Sequence, residues 1–156
     1  MPMNSWQRAR TGAHLFLAGV RRRITLGARV ALFDGDRVLL LRHTYLPDWH
    51  FPGGGVEPGE TAAESGAREM IEETGIEATG PLGLVGLYHN RNEATVRDHV
   101  ALFLCREFRV ARPFRPNNEI AAIGWYGPAE LPADIDPGTA RRIAEIVGGT
   151  PPDPLW

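Results

Sequence analysis

The residues whose types and spacing could do chemistry stand within one stretch. Glu69, Glu72 and Glu73 recur at intervals of three and four, a short distance beyond three consecutive glycines, Gly53-Gly54-Gly55. Between them Thr61 can cap a helix with its hydroxyl while Glu64 reaches back three residues later. Gly75 suits the left-handed conformation that closes a helix. At about 100° per residue, Ala63, Ala67, Met70, Ile71 and Thr74 share one side, which should pack on a sheet, and the three glutamates cluster opposite. Like charges so placed destabilise an isolated helix by about 0.2–0.5 kcal/mol per pair. Glu72 and Glu73 also occupy the last turn, where the helix dipole disfavours anions by roughly 0.3–1 kcal/mol each. Arg68 is the only cation within the helix. Two readings stand side by side: a solvated acidic face, or carboxylates gathered for a divalent cation that reverses the sign of the penalty. Clustered carboxylates are hard ligands, suited to Mg²⁺ or Mn²⁺ rather than zinc, and Mg²⁺ favours sites completed by substrate phosphates. The glycines cost chain entropy. They form either a flexible turn or a place where backbone closes on a metal or phosphate.

The run Gly54, five residues, Glu60, seven residues, Arg68-Glu69-Met70, one residue, Glu72-Glu73, one residue, Gly75-Ile76 resembles a complete Nudix box. The resemblance implies Mg²⁺-dependent hydrolysis, with Mn²⁺ as the other candidate ion. The bond cleaved is a phosphoanhydride in a nucleoside diphosphate linked to another moiety, such as a nucleotide sugar or a (d)NTP. It implies an α+β fold: a three-layer α/β/α sandwich whose mixed central sheet carries helices on both faces. Glu72 and Glu73 match the metal-binding glutamates, and Glu69 matches a metal ligand or general base. Arg68 is similar to the arginine that orients those carboxylates, and Glu60 to the residue supporting the metal shell. Gly53 matches a glycine whose carbonyl can bind the metal, and Gly54 and Gly75 frame the box. Glu93, Asp98 and Glu119 are candidate bases outside it. A non-catalytic nucleotide-sensing or binding module on the same fold is the competing reading, with an isomerase third. The signatures of several substrate classes are missing, as in Asn90-Arg91-Asn92 beyond the box, so the leaving group stays open.

Other signals are weaker. Arg42 closes a strand near the glycines and could reach a phosphate, and its alternative is a strand-end surface arginine. Trp49, Tyr45, Tyr88 and Trp125 could stack a nucleobase, although aromatics in strands usually belong to the core. Arg42, Trp49 and Glu119 complete the expected substrate-binding set. The histidines, His14, His43, His50, His89 and His99, show no metal-ligand spacing and read as structural or solvated. Neither a Walker loop nor a Gly-x-Ser-x-Gly elbow is present.

The elements that must position this chemistry follow from pattern. Arg29–Phe33 and Arg37–Leu41 are continuous apolar runs about Asp34-Gly35-Asp36, a hairpin of strands covered on both faces. Residues 82–88, 99–110 and 120–126 read as further strands, with an exposed loop over 89–98. Asp136-Pro137 caps a second helix, with Ala140, Ile143, Ala144 and Val147 on one stripe and Gly148-Gly149 as its stop. Residues 5–20 read as a helix or extended arm lying on the domain. Arg21, Arg22 and Arg23 are either a solvated face or a receiver for anionic substrate.

The chain has 156 residues, 43% of them apolar, which fits one domain over 1–156, with an arm over 1–23 and a tail over 150–156. A formal charge of −2 supplies no overall basic field for nucleic acid or an anionic membrane. The single cysteine, Cys105, excludes an internal disulfide and a Cys-based zinc site. The octet Ala13–Val20 is too short to span a bilayer and no small-residue cleavage site follows it. The expectation is a cytoplasmic monomer or homodimer acting on a small nucleotide.

Overall fold

Asp34-Gly35-Asp36 turns the chain as its composition predicts, with Gly35 at φ 60°. The computed structural model describes residues 5–91 and 96–156. In chain order the elements are α1 (Ser5–Arg22), β1 (Thr25–Asp34), β2 (Arg37–His43), β3 (Trp49–His50), β4 (Gly53–Gly55) and α2 (Ala62–Thr74). There follow β5 (Ile76–Ala78), β6 (Gly83–Asn90), β7 (Asp98–Cys105), β8 (Phe108–Val110), β9 (Ile120–Tyr126) and α3 (Pro137–Gly148).

The main sheet runs β3-β2-β1-β7-β6, with β4 also on β1 and β9 also on β2, while β5 and β8 pair separately. β1 and β7 are parallel from Thr25↔Asp98 to Leu32↔Cys105, and the other pairings are antiparallel. One edge of β1 is shared. Phe33 and Asp34 pair with β2, whereas Gly27, Ala28 and Arg29 pair with Gly55, Gly54 and Gly53 of β4. The three glycines are therefore a strand, not a turn.

Alternation along β1 shows why its apolar run is continuous. Val30 and Leu32 pack with Met70 and Ile76 on the α2 side, and Ala31 and Phe33 pack with Ile143 on the α3 side. Both faces are covered, which produces the expected three layers and mixed sheet. The caps also form as read. Thr61 and Glu64 make the reciprocal capping box, and Gly75 closes α2 at φ 76°. Asp136 accepts from the Thr139 N–H, and Gly149 closes α3.

Four expectations need correction. The apolar run 99–110 is two strands, because β8 leaves the main sheet after Cys105 to pair with β5. Strands β6 and β7 extend into the expected loop as far as Asn90 and Asp98, and residues 92–95, including Glu93, lie outside the described residues. α1 is helical but buries none of its residues, so it does not lie on the domain as a packed layer. The buried face of α2 is rotated: Ser65, Gly66, Met70, Glu73 and Thr74 are buried, whereas Ala67 and Ile71 are only partly so. Gly66 permits this, since a Cβ there would meet Val30 Cγ2 at 3.0 Å.

Candidate active site

Strand β4 is tied to β1, and α2 lies directly after it, so the glycines and the glutamates meet. Gly53 adopts φ 146°, and any Cβ on it would strike the Ala28 carbonyl. A side chain there would separate β4 from β1. A Cβ on Gly54 would strike the Glu69 carboxylate, which lies across that residue. The close approach expected of the glycines is to neighbouring backbone and to Glu69.

Arg68 organises the outer carboxylates. Its Nε and Nη2 donate to the two Glu60 oxygens at 3.1 and 2.9 Å, and Nη1 donates to Glu69 at 2.8 Å and to Glu72 at 3.4 Å. The Arg68 hydrogen bonds hold the Glu60 carboxyl down at about 2.

Glu73 differs. It is 5% exposed, with Oε2 accepting the Gly53 N–H at 2.7 Å and Oε1 lying 4.0 Å from His43 Nε2. Burial pushes its carboxyl up to about 8, although the Gly53 N–H and Arg29 oppose the rise. Burial, with the charges of His50 and Arg29, lowers His43 to about 4. The His43–Glu73 contact is therefore not an ion pair near neutrality. The expectation that all three glutamates face away from the sheet fails at Glu73, which turns inward to the Gly53 N–H.

Gly53, Glu69, Glu73 and His43 line an open cavity of about 400 Å³, together with Arg29, Tyr45, Asp98 and Glu119. Ligand atoms of His43, Glu73 and Glu119 lie within 4.8 Å of one another. A divalent cation fits this donor set. Glu73 is buried without a cation in ion-pairing range among the described residues, and the buried His43 Nδ1 has no hydrogen-bond partner. Glu73 also takes up the Gly53 N–H at this wall of the cavity.

Several sequence-predicted positions lie elsewhere. Arg42 and Trp49 do not line the cavity: Trp49 belongs to the α3-side core, edge-on to Tyr126 at 5.3 Å, and Arg42 stacks over it at 5.4 Å. Alternation along β2 sends Arg42 to that face and its neighbour His43 to the site. Tyr88 is fully buried, and Trp125 stacks on Phe108, leaving Tyr45 as the aromatic at the cavity. Glu72 is on the solvent side and borders a smaller hollow of about 220 Å³ with Arg112. None of Arg21, Arg22 and Arg23 lines the main cavity. Asp98 does, though it is held by Thr25 and Asn90 at 2.8 and 3.0 Å.

Sequence reasoning missed His43 and Arg29. Arg29 sits opposite Gly53, and its buried Nη1 has no hydrogen-bond partner. The available signal for Arg29 was a charged residue at the head of the apolar run of β1.

A capped helix carrying carboxylates onto a glycine strand, within an α/β/α sandwich, defines the Nudix class. The NUDIX domain model matches residues 23–146, and the chain belongs to that family. Its enzymatic class is that of a Nudix pyrophosphohydrolase. The chain is 30% identical over 120 residues to the protein named "Putative 8-oxo-dGTP diphosphatase" of Bacillus subtilis, covering 77% of each chain. It is 32% identical over 126 residues to a MutT-like protein of Streptomyces ambofaciens, covering 80% of this chain and 77% of that one. A MutT NUDIX hydrolase from Burkholderia pseudomallei shares the fold at TM-score 0.67 and 23% identity, over 78% of this chain and 97% of that one.

Proposed function

We propose that the protein uses Mg²⁺ to hydrolyse a phosphoanhydride in a nucleoside diphosphate derivative, a nucleotide sugar or a (d)NTP. The convergence of Glu69, Glu73 and Glu119 on one cavity, beside Arg29 whose buried Nη1 has no hydrogen-bond partner, carries this reading. Three carboxylates need a cation to share the space, and an arginine among them needs an anion. A diphosphate bridged to a divalent ion satisfies both.

Glu69, Glu73 and Glu119 would hold the ion, with His43 beside them. Glu72 remains in the set through Arg68, which it shares with Glu69. Bound Mg²⁺ would neutralise developing phosphate charge and acidify a water. Arg29 receives a diphosphate oxygen. Arg68 keeps Glu69 oriented, and Glu69 takes the proton of the attacking water, with Glu119 as the competing base.

The test is a panel of nucleotide sugars, ADP-ribose, dinucleoside polyphosphates and (d)NTPs, assayed with Mg²⁺ in oxygen-labelled water. Turnover of at least one, with label on a phosphate product, is expected. Label only in a sugar hydroxyl would eliminate attack at phosphorus. No turnover by folded, Mg²⁺-loaded protein would favour a binding module.

A further inference from the structure

The formal charge of −2 conceals a division. Arg8, Arg10, Arg21, Arg22 and Arg23 lie among the first 24 residues, which contain no acid, and the remaining chain carries −7. Four of these arginines are on α1, an 18-residue helix with no buried residue. At about 100° per residue, Trp6, Ala9, Ala13, Phe16, Leu17 and Val20 fall in a stripe roughly 100° wide. Arg10 and Arg21 border one edge of it, and Leu15 lies off it. Trp6, Phe16, Leu17 and Val20 are 68%, 71%, 66% and 50% exposed. A single exposed leucine needs no explanation, but an aligned stripe of this kind marks a contact surface.

We propose that α1 is an interfacial helix that docks the enzyme on an anionic lipid bilayer, lying in the plane of the headgroups. Among the described residues no helix is long and apolar enough to cross a membrane, so the association is peripheral. Such helices pair a basic polar face with aromatic and aliphatic residues opposite it, and are too polar as a whole to leave the interface for the bilayer core. Charge separates the possible occupants. A second copy meeting α1 face to face would bring two acid-free arginine helices together. Nucleic acid would attract the arginines but leave Trp6, Phe16, Leu17 and Val20 in water. An anionic bilayer takes the apolar stripe into its acyl boundary and neutralises the arginines. The −7 body is repelled by the same surface, which restricts contact to α1.

The experiment is co-sedimentation of the full chain with vesicles of phosphatidylcholine alone, or with about one third phosphatidylglycerol. Partitioning should be at least about tenfold stronger on the anionic vesicles, and should fall severalfold between about 0.05 M and 0.5 M NaCl. The double variant Phe16→Glu with Leu17→Glu should lose binding with unchanged turnover of soluble substrate, because neither side chain is buried or at the cavity. Absence of anionic binding, or equal binding to neutral vesicles, would overturn the proposal. So would a dimer in sedimentation velocity that the double variant dissolves without altering vesicle binding. An Arg21→Gln, Arg22→Gln variant with a raised KM and undiminished vesicle binding would instead assign these arginines to substrate capture.

Discussion

Glu73 on α2 and Arg142 on α3 each take an ionisable side chain out of water, Glu73 at 5% exposure and Arg142 at 0%. Their surroundings differ in kind. Arg142 donates from Nη2 to Glu145 and from Nη1 to the Leu155 carbonyl, both at 2.6 Å, and its guanidinium lies 4.5 Å over the Tyr88 ring. Although its Nε lacks a partner, the charge is matched within the protein, and the match fastens the C-terminal segment beneath α3. Trp156 then packs edge-on to Tyr88 at 5.5 Å. Glu73 has one N–H and a neutral imidazole at 4.0 Å, and it faces other carboxylates across a cavity. A buried charge balanced internally belongs to the architecture. One left in want of a cation at a cavity wall points to something that binds there.

Removing each side chain should therefore give opposite results. Arg142→Ala removes the charge partner of Glu145, which keeps the Asp153 N–H at 3.1 Å and the Tyr88 hydroxyl at 3.4 Å. Breaking a buried pair this way costs about 3–5 kcal/mol. Urea unfolding should show that loss, with turnover per folded molecule unchanged. An effect under about 1 kcal/mol, as for a solvated pair, would place Arg142 outside the framework. Glu73→Gln retains the shape and an acceptor for the Gly53 N–H but removes the charge. Turnover should fall by about a hundredfold or more, equivalent to roughly 2.7 kcal/mol of barrier, while metal-free stability is kept or raised. Added Mg²⁺ should also shift the melting temperature less than in the parent, since stabilisation grows as RT ln(1 + [L]/Kd). Parental turnover with a parental Mg²⁺ shift would remove Glu73 from the site.

The same pair shows what could be read in advance. Caps and faces governed by local rules were legible: the Thr61–Glu64 box, Gly75, Asp136-Pro137 and the doubly covered β1 all form as their spacing predicts. The box carboxylates were legible as a group, but the inward turn of Glu73 was not, because it depends on a strand of glycines pairing with β1. His43 and Arg42 are adjacent on β2, and only knowledge of which face meets α2 distinguishes the site residue from its neighbour. Arg112 was invisible for a similar reason. It donates to the carbonyls of Ile71 and Glu72 at 3.0 and 2.8 Å, so part of the positive charge wanted by the end of α2 comes from 40 residues downstream.

A pH titration sharpens the comparison further. The folded-state pKa of Glu73 is about 8, above the ordinary 4.5. Its contribution to metal-free stability is thus fully present below about 4.5 and lost as pH rises through about 8. Glu73→Gln lacks that loss, so its stability advantage over the parent in EDTA should grow between about pH 5 and 9. The gain should be on the order of 2 kcal/mol after allowance for partial screening. His43, lowered from 6.5 to about 4, acts in the other direction. Its contribution is present above about 6.5 and is lost as pH falls through about 4. The metal should compete with the Glu73 proton, so Mg²⁺ affinity should rise by up to about tenfold per pH unit below 8. A flat difference between Glu73→Gln and parent across this range would mean that Glu73 is ionised without a cation, as a solvated carboxylate is.

The smallest effect belongs to Glu72, which has the same side chain on the same turn but points to solvent. Its carboxylate is 57% exposed and 3.4 Å from Arg68, an acid–base order that runs against the helix dipole. Glu72→Gln removes an anion from the wrong end of α2 and a like charge three residues from Glu69, and it also gives up the Arg68 contact. These terms nearly cancel, so metal-free stability should move by no more than about 0.5 kcal/mol. Turnover and the Mg²⁺-induced rise in melting temperature should both fall, each by less than in Glu73→Gln, because Arg68 still has Glu60 and Glu69 to hold. Side-by-side melts and rates for the two variants measure what burial adds to an otherwise identical carboxylate. A loss at Glu72 equal to that at Glu73 would show that the exposed side chain turns into the site when the cation binds. In that case the contrast between the two glutamates would hold only for the metal-free protein.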